Sequence, residues 1–375
     1  MARDFWPKII EDQKMRIAFL GLKDAFDYYK IGGVESFIRR ITYQMTTHFG
    51  INIDYILYGA QGEKMVDINP KLKLRYFKRF EHALSVINAK YDHVITVYLF
   101  PKDKLKYAYF RRKNKNLSFH KILFSWSDNP VWKSYILAEA KIFPYNGQFF
   151  CISERQYECV KKWMKNVVYI LPPVPKDFFI RPEEKPNNKK IKLTFLGRID
   201  PGKGILDVIK LFVVLKENSR LQCTIYGIYL QNNKKSVAIR NWLKNQRDIK
   251  YVEIDRENHS PLADEMVKNV FKETDILILP YKTLGSTIDT PVTLLEAMAS
   301  LCAVITKPFG NIPDIYGKTK FIIPKKKFLP YVINFFENLT TEKLRKERKR
   351  IYKQNQKLNF ATKAVVKKFL AALNG

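Results

Sequence analysis

The loop Gly197-Arg198-Ile199-Asp200-Pro201-Gly202-Lys203-Gly204 holds the clearest chemical potential in the chain. Its three glycines let backbone come close to a ligand, while Arg198 offers a planar donor fork and Lys203 a point charge. Residues 205–215 continue with helical apolar spacing, so both cations stand at a helix entrance that already favours anions. In physical terms this is a place for a diphosphate. The plainer reading is a glycine-rich turn with two exposed cations, in a chain that has 67 lysines and arginines.

A second group lies in residues 277–299. Pro291 suits the first turn of a helix, and Asp289 just ahead of it suits a cap. Glu296 sits among Leu294, Leu295, Ala297 and Met298, which points to a buried, hydrogen-bonded carboxylate. The four cysteines (Cys151, Cys159, Cys223, Cys302) form no CxxC or Cys/His ligand spacing, so no metal site is expected. So few cysteines make no disulfide framework, which fits a reducing, cytoplasmic interior.

These residues need elements to position them. Residues 16–21 form a short apolar run ending in glycine, followed by Gly32 and Gly33 and then an apolar stripe at Phe37, Ile38, Ile41 and Met45. Strand, glycine loop and helix make a βα unit. Further apolar runs at 53–58, 93–100, 121–126 and 148–153 read as buried parallel strands. The stretch from Leu171 to Lys190 is rich in Pro, Asn and charge and serves as a linker. Beyond it the pattern restarts, with strands at 191–196, 223–226, 251–254, 276–279 and 303–306 and helices at 205–215 and 236–243. The expected fold class is α/β, with two Rossmann-like domains facing a cleft. The expected boundaries are 1–172 for the N-terminal domain, 173–190 for the linker and 191–355 for the C-terminal domain. Residues 356–375 are expected as a final helix.

The balance of 67 basic against 36 acidic residues gives a formal charge of +31, while hydrophobic residues at 46% exclude a disordered chain. Such a charge attracts phosphate-rich partners, whether nucleic acid, anionic lipid or nucleotide. No run reaches the ~20 apolar residues of a membrane span, and residues 1–14 lack the apolar core of a secretory signal.

Taken in order, Gly32-Gly33, Phe195-Leu196-Gly197-Arg198 with Lys203-Gly204, Thr224-Ile225-Tyr226-Gly227, residues 275–280 and Leu294-Leu295-Glu296-Ala297-Met298-Ala299 resemble the retaining GT-B glycosyltransferases of glycosyltransferase family 4. The resemblance implies a transfer from a nucleotide-diphosphate sugar to a glycan, lipid-linked or other hydroxyl acceptor, with no cofactor or metal required. By matching position, Arg198 and Lys203 would grip the donor diphosphate and Glu296 the ribose hydroxyls. Gly33 would bring the first helix to the donor, and Gly32, Gly197, Tyr226, Thr290 and Pro291 would complete the donor site. The last helix, from Phe360 to Leu373, would cross back to the N-terminal domain.

Two positions depart from the family pattern. Its pair of glutamates separated by seven residues becomes Ile288 and Glu296, with Asp289 as the nearest substitute carboxylate. Its His-Asp pair becomes Ser127 and Asp128. His93 and His120 read as structural histidines.

On the acceptor side, residues 102–115 interleave cations with Tyr and Phe. Lys104, Lys106, Arg111, Arg112 and Lys113 suit docking on a membrane surface or a glycan acceptor, which would place the protein peripherally on the inner face of a membrane. The same mix suits single-stranded nucleic acid, and a solvated helix face is the plain alternative. A nucleic-acid-binding or nucleic-acid-modifying protein and an inactive GT-B-like scaffold are the other functional readings.

Overall fold

The computed structural model describes residues 15–22, 24–27, 32–125, 130–142, 144–228, 233–247, 249–254, 263–283, 287–324 and 326–375. The first lobe is built on β1 (Arg16–Gly21), β2 (Asn52–Tyr58), β3 (Lys64–Asn69), β4 (Leu72–Phe77), β5 (His93–Thr96), β6 (Ser118–Leu123), β7 (Phe149–Cys151) and β8 (Val167–Tyr169). Its sheet runs β3-β4-β2-β1-β5-β6-β7-β8. All its pairings are parallel except β3 with β4. The first-lobe helices are α1 (Gly33–His48), α2 (Phe80–Ser85), α3 (Lys104–Lys113), α4 (Pro130–Ile142) and α5 (Glu154–Val160).

The second lobe has a parallel sheet of β9 (Ile191–Arg198), β10 (Leu221–Ile228), β11 (Lys250–Glu253), β12 (Ile276–Leu279) and β13 (Ala303–Thr306), in the order β11-β10-β9-β12-β13. Its helices are α6 (Ile205–Leu215), α7 (Lys234–Lys244), α8 (Ala263–Glu273), α9 (Val292–Ala299), α10 (Ile312–Tyr316), α11 (Phe328–Glu337) and α12 (Thr341–Leu358), and α13 (Thr362–Asn374) closes the chain. The chain is thus α/β, with two Rossmann-like lobes.

The central strands are apolar on both faces because helices cover both. Ile276, Leu277 and Ile278 of β12 are fully buried, as are Ile17, Ala18, Phe19 and Leu20 of β1. The β3–β4 pair differs from these. Its edge strand is exposed along most of its length and carries Lys64 and Asp67, so it lacks the continuous apolar run that marks the inner strands.

The chain passes between the lobes twice. Val174 bridges Ala361 in parallel, with Val174 N–H donating to the Phe360 carbonyl at 3.0 Å and Thr362 N–H to the Val174 carbonyl at 2.9 Å. Beyond that bridge α13 lies on the first lobe, where Phe369 stacks on Phe150 with ring centroids 4.2 Å apart. Lys185, in the linker, is buried and donates to the carbonyls of Phe271 (2.8 Å) and Ser300 (2.9 Å), which fastens this segment to the second lobe.

Candidate functional site

The carboxyl end of β9 runs into a tight turn that Asp200 holds by accepting from Gly202 N–H at 2.7 Å. The loop after β12 locks onto the same turn, Lys282 N–H donating to the Gly202 carbonyl at 2.9 Å. Gly204 closes the turn with φ +82°, and a Cβ there would stand 2.2 Å from the Pro280 carbonyl oxygen. Only glycine allows both the left-handed backbone and this approach. Gly197 is likewise turned, at φ +155°.

This docking sets Lys203 over the ring of Tyr281, 4.8 Å from its centroid. Among the described residues no carboxylate lies within ion-pair distance of the ammonium. Burial and the neighbouring Arg198 guanidinium push its pKa down to about 7, against a smaller opposing pull from Asp200. A half-buried cation beside a second cation is short of negative charge, and an anion entering here would supply it. Tyr281 itself is buried, with its phenol held well above the ordinary range, by burial first and also by nearby Glu296. Its ring packs against Phe309 at 5.6 Å. Tyr226 lies half-buried near the carboxyl end of β10, in register with Leu196 on β9.

The structure places the two carboxylates against the other lobe. Glu296, on α9, is 6% exposed, and its Oε1 accepts from the Arg40 guanidinium of α1 at 2.5 Å. Arg40 also donates to the Pro173 carbonyl at 3.1 Å. Asp289 does not cap α9. Pro291 holds the cap position, and no side chain bonds there. Instead the Asp289 carboxylate, fully buried, is gripped by Arg155 of α5, whose Nε donates at 3.0 and 2.9 Å while Nη2 also bonds Oδ1. Asp289 N–H donates to the Phe124 carbonyl at 3.1 Å, and the Thr290 hydroxyl to the Ile152 carbonyl at 2.7 Å. The loop ahead of α9 is therefore sewn to the carboxyl ends of β6 and β7. In this arrangement Asp289 and Thr290 face protein partners.

The glycines of the first lobe also differ from expectation. Gly32 caps α1, but the Glu35 carboxylate curls back so closely that a Cβ on Gly32 would meet Oε2 at 2.3 Å. The positive end of α1 thus already faces a carboxylate. A Cβ on Gly33 would stand 2.9 Å from Ile288, so an apolar side chain rests on the start of the helix where the family pattern has a glutamate. Ser127 and Asp128 lie outside the described residues.

His93 and His120 are structural, as read from the sequence. The His120 Nδ1 accepts from Gln148 N–H at 2.8 Å, and its Nε2 faces His93 Nδ1 at 3.1 Å. Burial, and secondarily His93, pushes the His120 pKa down to about 3.

The basic segment on α3 divides. Arg111 is buried over the Tyr145 ring at 3.8 Å, which corrects its reading as a docking residue, since its guanidinium is spent inside the lobe. Lys104 pairs with Glu139 at 2.7 Å and Lys106 with Glu81. Arg112 and Lys113 are exposed, as are Leu105 and Tyr109 on the same helix.

Arg40, Arg155 and Tyr281 are the residues the sequence reading missed. The two arginines meet their carboxylates across 256 and 134 residues, beyond any local pattern. Tyr281 follows Pro280 directly after a buried strand, and that position, at the carboxyl end of β12, was the available signal.

Two Rossmann-like lobes with a cation-lined turn at the carboxyl end of the central strand define the GT-B class. The chain matches it in solved structures along nearly its whole length. A glycosyltransferase from Rickettsia africae is similar at 16% identity over 96% of this chain and 97% of that one, with a TM-score of 0.63. Anabaena Alr3699/HepE in complex with UDP is similar at 12% identity over 96% and 100%, TM-score 0.67. An α,α-trehalose-phosphate synthase (UDP-forming) from Burkholderia vietnamiensis is similar at 9% identity over 98% of each, TM-score 0.67. Residues 176–358 match the family model described as glycosyl transferases group 1. The second lobe is a domain of that group, and the chain is a glycosyltransferase. A search of the curated proteins finds no match by sequence.

Proposed function

We propose that the chain transfers a sugar from a nucleotide-diphosphate sugar to a hydroxyl acceptor with retention, using Arg198 and Lys203 in place of a divalent metal. The observation that carries this reading is the Lys203 ammonium, half-buried beside Arg198 with no carboxylate partner among the described residues. Charge placed where a diphosphate leaves stabilises it without reorganisation during the reaction. The anomeric carbon–oxygen bond to the diphosphate breaks, and the acceptor oxygen bonds that carbon on the same face. The acceptor's proton passes to the departing phosphate oxygen. No side-chain base is needed, and the fold's contribution is positioning and charge.

The Anabaena neighbour holds UDP, so UDP is the first nucleotide to test. Calorimetric titration of UDP without added metal into wild type and Arg198→Ala/Lys203→Ala protein tests the donor site. Saturable binding is expected in wild type and loss of it in the folded double variant. Equal binding by both would remove these residues from the site.

For the acceptor we infer a glycan or lipid-linked hydroxyl approached at an anionic membrane. The support is the exposed face of α3, where Leu105 and Tyr109 stand 67% and 61% exposed beside Arg112 and Lys113. Leu105→Ser/Tyr109→Ser should weaken sedimentation with phosphatidylglycerol vesicles, and unchanged sedimentation would exclude this face.

A further inference from the structure

The parallel strands of the first lobe begin on the edge opposite the cleft, and there a depression opens between the amino ends of β1, β2 and β4. Arg16, Lys71, Lys73 and Arg75 line it, with Asp54 as the one carboxylate in its wall. Asp54 is already engaged, accepting from the Tyr91 hydroxyl and lying 3.3 Å from Arg75. The buried Nε of Arg75 has no hydrogen-bond partner. Arg16, Lys71, Lys73 and the adjoining Lys90 make no ion pair among the described residues. Asp67 stands opposite Lys73 across the β3–β4 pair but outside ion-pair distance.

Like charges gathered in a concave site raise one another's energy unless an anion joins them. Lys90 registers that crowding. Its ammonium lies 5.0 Å over the Tyr91 ring, and its pKa is lowered by burial, then by Arg75, Arg16 and Lys73, against an opposing pull from Asp54. The Arg75 guanidinium in the wall of such a pocket suits an oxygen acceptor, and the flanking lysines suit a group with more than one negative charge.

We propose that this depression is a second anion site, distinct from the donor cleft, that binds a phosphate group carrying two or more charges. The chemistry fits a soluble diphosphate or phosphosugar and equally the phosphomonoester of a lipid headgroup such as phosphatidic acid. The site uses no residue of the transfer reaction, so it stands whether or not the donor reading does.

The test is calorimetry with inorganic diphosphate on four full-length proteins: wild type, Lys71→Ser/Lys73→Ser, Arg198→Ala/Lys203→Ala, and Lys349→Ser/Lys353→Ser as a control for bulk charge. Vesicle sedimentation with phosphatidic acid accompanies it, and circular dichroism checks each fold. Wild type should bind at two sites. The Lys71/Lys73 variant should lose one of them, with affinity there at least tenfold weaker, while the control keeps both. The Arg198/Lys203 variant should retain the site at the strand starts. Loss of diphosphate with unchanged vesicle binding assigns a soluble anion, and loss of both assigns a headgroup phosphate. Diphosphate binding that is the same in wild type and the Lys71/Lys73 variant, or reduced equally by the control, overturns the proposal.

Discussion

Donor binding should take up a proton, and its pH dependence should identify Lys203 as the group that receives it. With a pKa of about 7, the free enzyme holds Lys203 half charged at neutral pH. A diphosphate at ~4 Å attracts the ammonium by about 4 kcal/mol per unit charge at an effective dielectric constant of 20, enough to raise its pKa by two to three units. Between about pH 7 and the bound pKa, every added pH unit therefore costs about 1.4 kcal/mol, or tenfold in affinity. The terminal phosphate of UDP is about nine-tenths ionised at pH 7, since a phosphomonoester's last pKa is about 6, so its titration adds little above that pH. The assay is calorimetric titration of UDP from pH 6.5 to 9 in two buffers of different ionisation enthalpy. Affinity should fall about 25- to 50-fold from pH 7 to 9, with up to one proton taken up. Lys203→Arg, always charged, should flatten that slope while keeping affinity, and Lys203→Met should be weak and flat. A wild-type affinity that is level over this range, with no proton uptake, would refute the charge assignment.

Three other outcomes follow from the same geometry. Arg155→Met leaves the buried Asp289 carboxylate without its partner and should destabilise the protein by about 3–5 kcal/mol in urea unfolding, while Arg155→Met/Asp289→Leu recovers most of that. Equal losses in the single and double variants would mean that the ion pair is not what matters there. Gly204→Ala meets both a left-handed backbone and the Pro280 carbonyl, and should cost about 2 kcal/mol or more together with UDP binding, measured by unfolding and titration. His120 is neutral when folded and its pKa is depressed from about 6.5 to about 3, so its contribution is present above pH 6.5 and is lost as pH falls through that window. From pH 6.5 to 4.5 the wild type should lose about 2.3 kcal/mol through this group, and His120→Asn should lack that part of the acid sensitivity; parallel pH profiles would contradict it.

The sequence made the inner strands readable because each is buried on both faces and so forms an unbroken apolar run. Residues 16–21 and 276–279 fall on β1 and β12, and 205–215 on α6. The β3–β4 hairpin escaped, since Lys64, Asp67, Lys73 and Arg75 interrupt the continuous apolar run by which the inner strands were read. In the site, Arg198 and Lys203 were legible because one turn carries both. The fates of Asp289 and Glu296 were not, because their arginines come from the other lobe and nothing in the local sequence signals a partner so far away. Arg111 misled for a related reason: a guanidinium reads as surface until an aromatic ring such as Tyr145 is found to cover it.

The double passage at Val174 and Ala361 changes how the chain is partitioned. Because α13 returns to the first lobe, the second lobe is topologically an insert in the first, entered at one splice point and left at another a few ångströms away. Exchanging donor lobes between relatives would therefore require two matched junctions, one beside residue 174 and one beside 361. A single-crossover chimera would part Phe369 of one parent from Phe150 of the other, so recombination within this architecture is constrained to move the second lobe as a cassette.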